Sequence, residues 1–258
     1  MSIRSVCRML LALLLGFNLV FAIGVPPSYA QDSGTSHVES HAAAASGHDH
    51  HGGRVVADAW EGSVEGIAYS ELNHHIAGWM VILMGLAELS HAMRLSSLAW
   101  ARLLLPAAML CSGVFVMIWS DHEAWPIGRL GFAKTFFGQD QEIIQHKIYG
   151  LLALLVGSVE LFRRLGRAGH LAWATPLPLM AIVGGLMLFG HSHGVHPSAH
   201  KIAIHHAIMG AMAVTAGSSK LYSSWVHPVL GRASSHKWES VWAGLILLIG
   251  AQLVIYSE

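Results

Sequence analysis

Charge is what this chain has least of. Asp, Glu, Lys and Arg make up 12% of its 258 residues, against 53% hydrophobic content. That is too little charge to coat a soluble globule of this length, so the composition predicts a polytopic membrane protein. The formal net charge is zero and the basic residues are scattered near the ends of apolar runs, which argues against nucleic acid as a partner. Cysteine is nearly missing too. Cys7 goes with the leading signal-like segment and Cys111 lies inside a later apolar run, leaving no pair for a disulfide and no CxxC metal site. No nucleophile, catalytic dyad or nucleotide loop stands out, so the reading leans against an enzyme.

Histidine is what the chain has in excess. There are nineteen, and His191–His206, reading HSHGVHPSAHKIAIHH, holds six in sixteen residues between two apolar runs. Imidazole is the commonest metal ligand and titrates near neutral pH, so such a cluster at a helix boundary points to metal, haem or proton chemistry.

The chain opens with Arg4 and Arg8, the apolar run Met9–Val20 and the small-residue exit Ser28-Tyr29-Ala30. This is the pattern of a secretory signal cleaved after Ala30; an uncleaved first anchor is the alternative. Residues 31–68 then form a His-rich extracytoplasmic tail, flexible because its Ala, Ser, Gly and His cannot bury a core. Its densest stretch holds His48, His50 and His51, which either collect metal weakly or belong to a solvated linker.

Residues 69–258 are expected to be an all-α membrane bundle. Six apolar runs, about 73–93, 99–119, 143–162, 171–190, 204–221 and 241–256, each approach the ~20 residues that cross a bilayer as a helix. The odd-numbered runs share His-x3-Gly-x6-Gly-x2-charged-Leu: His74, Gly78, Gly85, Glu88, Leu89; His146, Gly150, Gly157, Glu160, Leu161; His206, Gly210, Gly217, Lys220, Leu221. The even-numbered runs share Gly-x6-Ser and a polar residue, at Gly113, Gly185 and Gly250. Three repeated helical hairpins are expected.

Lys and Arg counts orient the bundle. With the amino end outside, the inner loops hold Arg94, Arg102, Arg163, Arg164, Arg167, Lys220, Arg232 and Lys237, against Arg54, Arg129, Lys134 and Lys201 outside and Lys147 at an outer helix end. This places both termini extracytoplasmic. Ten histidines then gather at the outer face: His74, His75, His122, His146, His191, His193, His196, His200, His205 and His206.

On an ideal helix the repeated His, both Gly and the charged residue fall in one stripe, since offsets of 4, 11 and 14 return close to the starting angle. His74, His146 and His206 are therefore expected to converge, with His193, His191, His122, His75 and His205 nearby as candidate ligands. His196 and His200 would form an accessory capture mouth. The other reading is that each histidine caps a helix end. At the opposite end of the stripe, Lys220 is expected to neutralise Glu88, Glu160 or both, because unpaired charges facing a bundle are costly. Met80, Met84, Met109, Met117, Met180, Met187, Met209 and Met212 fit either a copper path or flexible packing.

Four strings, SDHEAWPIG at Ser120–Gly128, QEIIQHKIYGLL at Gln141–Leu152, GGLMLFGHSH at Gly184–His193 and QLVIYSE at Gln252–Glu258, resemble segments of bacterial copper-resistance D (CopD-like) membrane proteins. The resemblance implies periplasmic copper handling, with His122, His146, His191 and His193 as the matching positions. The expected function is copper binding for resistance, uptake or delivery to a periplasmic copper protein or membrane copper enzyme. The alternatives are a b-type haem electron carrier with axial histidines and a non-metal subunit of a membrane complex.

Overall fold

The computed structural model describes residues 63–93, 101–190, 198–230 and 232–257, the side chains of 226–235 apart. The expected signal, residues 31–62 of the expected His-rich tail with His48, His50 and His51, and His191, His193, His196 and Glu258 lie outside the described residues, whereas residues 63–68 of that tail are the cap and first turns of a helix. Among the described residues every regular element is helical: α1 (Val64–Ala92), α2 (Leu104–Trp119), α3 (Phe132–Phe137), α4 (Gln141–Arg164), α5 (Pro176–Leu188), α6 (Ala199–Leu230) and α7 (Arg232–Val254). Single 3-10 turns, Ala101–Leu103 and Leu171–Ala174, lead into α2 and α5.

All six apolar runs are helices, and their polar ends explain where they stop. Ser63 caps α1 by accepting from Gly66 N at 3.1 Å, and Asp140 caps α4 through Glu142 N and Ile143 N. The cap on Ser63 lets α1 begin nine residues before its apolar run. Pro106 and Pro178 sit in first turns, where no intrahelical N–H is needed. α4 ends at Gly166, whose φ of +78° permits Gly166 N to reach Arg163 O and Arg167 N to reach Phe162 O, a Schellman turn.

Four stretches are long and apolar enough to cross a membrane: Ala101–Trp119, Gln141–Arg164, Leu171–Leu188 and His236–Val254. The six long helices close a ring. α1 packs on α2 and α7, α2 on α4, α4 on α5, α5 on α6, and α6 on α7. The tight interfaces, α1–α7, α2–α4 and α5–α6, rest on paired glycines. A Cβ on Gly78 would stand 2.9 Å from Gly250 O, one on Gly113 3.0 Å from Gly150 O, and one on Gly185 2.7 Å from Gly210 O. The glycine stripe therefore faces a neighbouring helix, but the contact joins one sequential hairpin to the next instead of closing a hairpin on itself.

One apolar core draws on every long helix: Ala87, Leu105, Met109, Val156, Leu177, Ala216, Trp242 and Ala243. It lies next to the helix ends that carry Glu88 and Trp242. The ring thus has a histidine end and a charged end, about 21 Å apart from His74 to Glu88 at 1.5 Å per residue.

Candidate functional site

At the histidine end, α1, α6 and α7 bring four imidazoles around Tyr256. The His74 ring stacks on Tyr256 with centroids 4.1 Å apart, and the His205 ring meets Tyr256 edge-on at 5.6 Å. His74 and His206 face each other with centroids 6.4 Å apart. Tyr256 and His206 are both buried.

Hydrogen bonds orient these rings. His74 Nδ1 lies 2.8 Å from Ser70 O, so the N–H sits on Nδ1 and Nε2 is the acceptor nitrogen of the ring. His75 Nε2 donates to Tyr256 O at 2.9 Å, closing the last turn of the α7 segment across to α1. Gln252 Nε2 donates to His205 O at 3.1 Å and lies 3.3 Å from His205 Nδ1. His200 is exposed in the first turn of α6.

His146 sits in a separate assembly. Its Nδ1 lies 2.7 Å from Asp121 Oδ1, while Lys147 Nζ lies 3.1 Å from Asp121 Oδ2 and donates to Met117 O at 3.1 Å. The structure therefore brings two of the three repeated histidines together, and the third is engaged by a carboxylate at the end of α2. Among the described residues no three side chains of His, Cys, Asp or Glu gather as a metal-holding group.

Asp121 and His122 follow the α2 span and sit at its boundary. Burial opposes a charge on Asp121, but the His146 imidazole and Lys147 ammonium beside it prevail and hold its carboxyl below the usual carboxylate range. Burial pushes the His122 imidazole down to about 4 despite the nearby Asp121 charge, with Arg129 adding to the effect. Its ring lies edge-on to Tyr69 at 6.0 Å, and Tyr69 donates to Trp119 O at 2.6 Å, tying α1 to the end of α2.

At the charged end, Glu88, Glu160 and Lys220 belong to one ionic belt. Lys220 Nζ bonds Glu88 Oε2 at 3.0 Å and Glu239 Oε2 at 2.5 Å. Arg164 bridges Glu88 and Glu160, each at 2.5 Å, and Arg163 closes a two-pronged pair on Glu160. Trp242 Nε1 donates to Glu88 at 2.9 Å. Lys220 neutralises Glu88, as its place on the stripe suggests, whereas Glu160 is served by the two arginines. Among the described residues three carboxylates meet three cations, and the belt joins α1, α4, α6 and α7 across the ring.

Sequence reasoning did not single out Tyr256, Arg164, Glu239 or Trp242. One signal was there: Arg102 and Glu239 each stand eleven residues before the glycine of their segment, Gly113 and Gly250. Arg102 O accepts from Arg164 at 2.8 Å, and Glu239 accepts from Lys220, so both positions feed the belt. No family model, curated protein or solved structure matches this chain.

Proposed function

We propose that this chain is a six-span inner-membrane protein built of three repeated hairpins, and that it binds copper at its periplasmic face for resistance, uptake or delivery. In this reading a cleaved signal sets the amino end outside the cytoplasm, six spans return the carboxyl end to that side, and the tail and His200 collect the ion. His74 and His206 hold it, with His193 and His191 as further ligands.

The observation that carries the reading is the His74–His206 pair. With a metal–nitrogen bond of ~2.0 Å, an ion shared by two imidazoles sits roughly 3 Å from each ring centre. Ring centres 6.4 Å apart match that spacing for an ion in line between the two rings, and each added ligand would draw them closer. The bond from His74 Nδ1 to a backbone carbonyl is also the outer contact that fixes a ligating histidine and raises its basicity. Imidazole favours copper or zinc over magnesium or calcium, which take oxygen ligands, and the resemblance to copper-resistance D proteins favours copper between the two.

Purification in mild detergent tests this. Copper is expected to co-purify or to load stoichiometrically, and to fall by one equivalent in His74→Ala/His206→Ala. A Soret band, or metal binding unchanged in that variant and abolished by tail deletion, would overturn the proposal.

A further inference from the structure

The ionic belt engages every carboxylate at its end of the ring. The stretches that join the spans there, residues 89–103, 161–175 and 221–238, contain no Asp or Glu, and Glu88, Glu160 and Glu239 are all held by Arg163, Arg164 and Lys220. The same stretches leave Arg94, Arg102, Arg167, Arg232 and Lys237 outside the belt. Arg102, Arg167 and Lys237 are exposed, and none of the three forms an ion pair among the described residues. Each is tied to the belt through its backbone or its helix. Arg164 donates to Arg102 O at 2.8 Å, Arg167 closes the turn that ends α4, and Lys237 stands two residues before Glu239 on α7. Exposed aromatic rings accompany them: Trp173 in the turn that packs on α4 and α6, and Trp238 beside Lys237, edge-on to Tyr222 at 5.1 Å. The histidine end has no such excess, since its loop 120–142 sets Asp121, Glu123, Asp140 and Glu142 against Arg129 and Lys134.

We propose that the charged end of the ring is a docking surface for anionic phospholipid headgroups, engaged by Arg102, Arg167 and Lys237 and framed by Trp173 and Trp238. The surface rests on the membrane-spanning part of the reading above and is independent of copper. Charge complementarity selects the occupant: exposed cations with no carboxylate of their own meet a leaflet whose lipids carry phosphate, and basic residues at a bilayer surface are drawn to anionic lipid. The guanidinium fork fits two phosphodiester oxygens at once. Indole rings favour the headgroup level, where an apolar body meets water, so Trp173 and Trp238 put the cations at phosphate depth. Cations spread around the belt suit many headgroups better than one small anion.

The test is thermal unfolding of the full chain, stripped of lipid in non-ionic detergent and titrated with phosphatidylglycerol or phosphatidylcholine. Phosphatidylglycerol is expected to raise the melting temperature and phosphatidylcholine to leave it nearly unchanged, with the difference shrinking in high salt. Arg102→Gln/Arg167→Gln/Lys237→Gln should need at least about tenfold more phosphatidylglycerol for the same rise. These side chains touch no belt member, and the variant's melting temperature before lipid is added checks its fold. Arg129→Gln/Lys134→Gln, at the histidine end, should respond as wild type does. Equal stabilisation by the two lipids, a triple variant that responds as wild type, or loss of the response in the histidine-end variant would overturn the surface. So would an equal rise with inorganic phosphate, which would make the site one for a free anion, or a rise with polyglutamate alone, which would assign the cations to an acidic protein. Release of the chain from membranes by alkaline carbonate would instead overturn the spanning reading beneath it.

Discussion

His146 Nδ1 and Asp121 Oδ1 stand 2.7 Å apart, joining the first turns of α4 to the end of α2. The same carboxylate faces Lys147, whose side chain is 1% exposed. Asp121→Ala should leave that ammonium buried without its counter-charge, at a cost of about 3–5 kcal/mol. Thermal unfolding in detergent should show the loss, and Asp121→Ala/Lys147→Met should recover much of it. Because the folded carboxyl titrates below its ordinary value, this contribution is present above the unfolded pKa near ~3.9 and disappears as pH falls through the folded one. A double variant no more stable than Asp121→Ala would place the cost elsewhere.

His122 gives the opposite kind of proton linkage. Its pKa drops from an ordinary ~6.5 to about 4 on folding, so between those values the unfolded chain binds the extra proton. Stability should decline as pH is lowered from 6.5 to 4, and the part due to His122 should vanish in His122→Gln. With about a third of the ring in water, the contribution should be no more than ~1 kcal/mol. Wild type should lose more stability than His122→Gln between pH 6.5 and 4, so the two stability–pH curves should shift against each other over that range; parallel curves would remove His122 as the cause.

The helices were legible because each apolar run is long. Their partners were less so. The stripe through Gly78 and Gly85 identifies a face of α1, but periodicity cannot say which neighbour meets it, and the structure places α7 there. The repeated histidines show the same limit. Spacing gives His74, His146 and His206 equivalent faces, yet Asp121 draws His146 into an ion pair while Tyr256 stacks on His74. Local charge and ring contacts decide between positions that a period treats alike. Glu239 escaped notice because the apolar run begins after it, and Trp242 because inside that run an indole reads as apolar surface and not as a hydrogen-bond donor.

Glu88 should be the least replaceable member of the ionic belt. It is 2% exposed and receives Arg164, Lys220 and the Trp242 indole. Glu88→Gln keeps the shape but leaves three cations to two carboxylates, a buried imbalance expected to cost about 3–5 kcal/mol. Glu239→Gln should cost less, since its side chain is 18% exposed and water can answer part of the lost charge. Intrinsic fluorescence should shift in Glu88→Gln as the indole loses its charged acceptor. Equal destabilisation by the two variants would mean that burial does not rank these carboxylates.

The glycine interfaces offer a contrast within one helix. Gly250 in α7 has no room for a methyl group: a Cβ there would lie 2.8 Å from the backbone nitrogen of Ile82 and 3.0 Å from Gly78 O. Backbone cannot turn aside as a side chain can, so Gly250→Ala should push α1 and α7 apart and cost ~1–3 kcal/mol. Gly244, less than two turns earlier, has nothing within 4 Å of its would-be Cβ. There alanine should be neutral or stabilise by up to ~1 kcal/mol, because glycine is the poorer helix former. Thermal melts of the two variants beside wild type should therefore move in opposite directions, or one should fall while the other holds. If Gly250→Ala melts with wild type, the close approach of α1 and α7 is not what holds the ring shut.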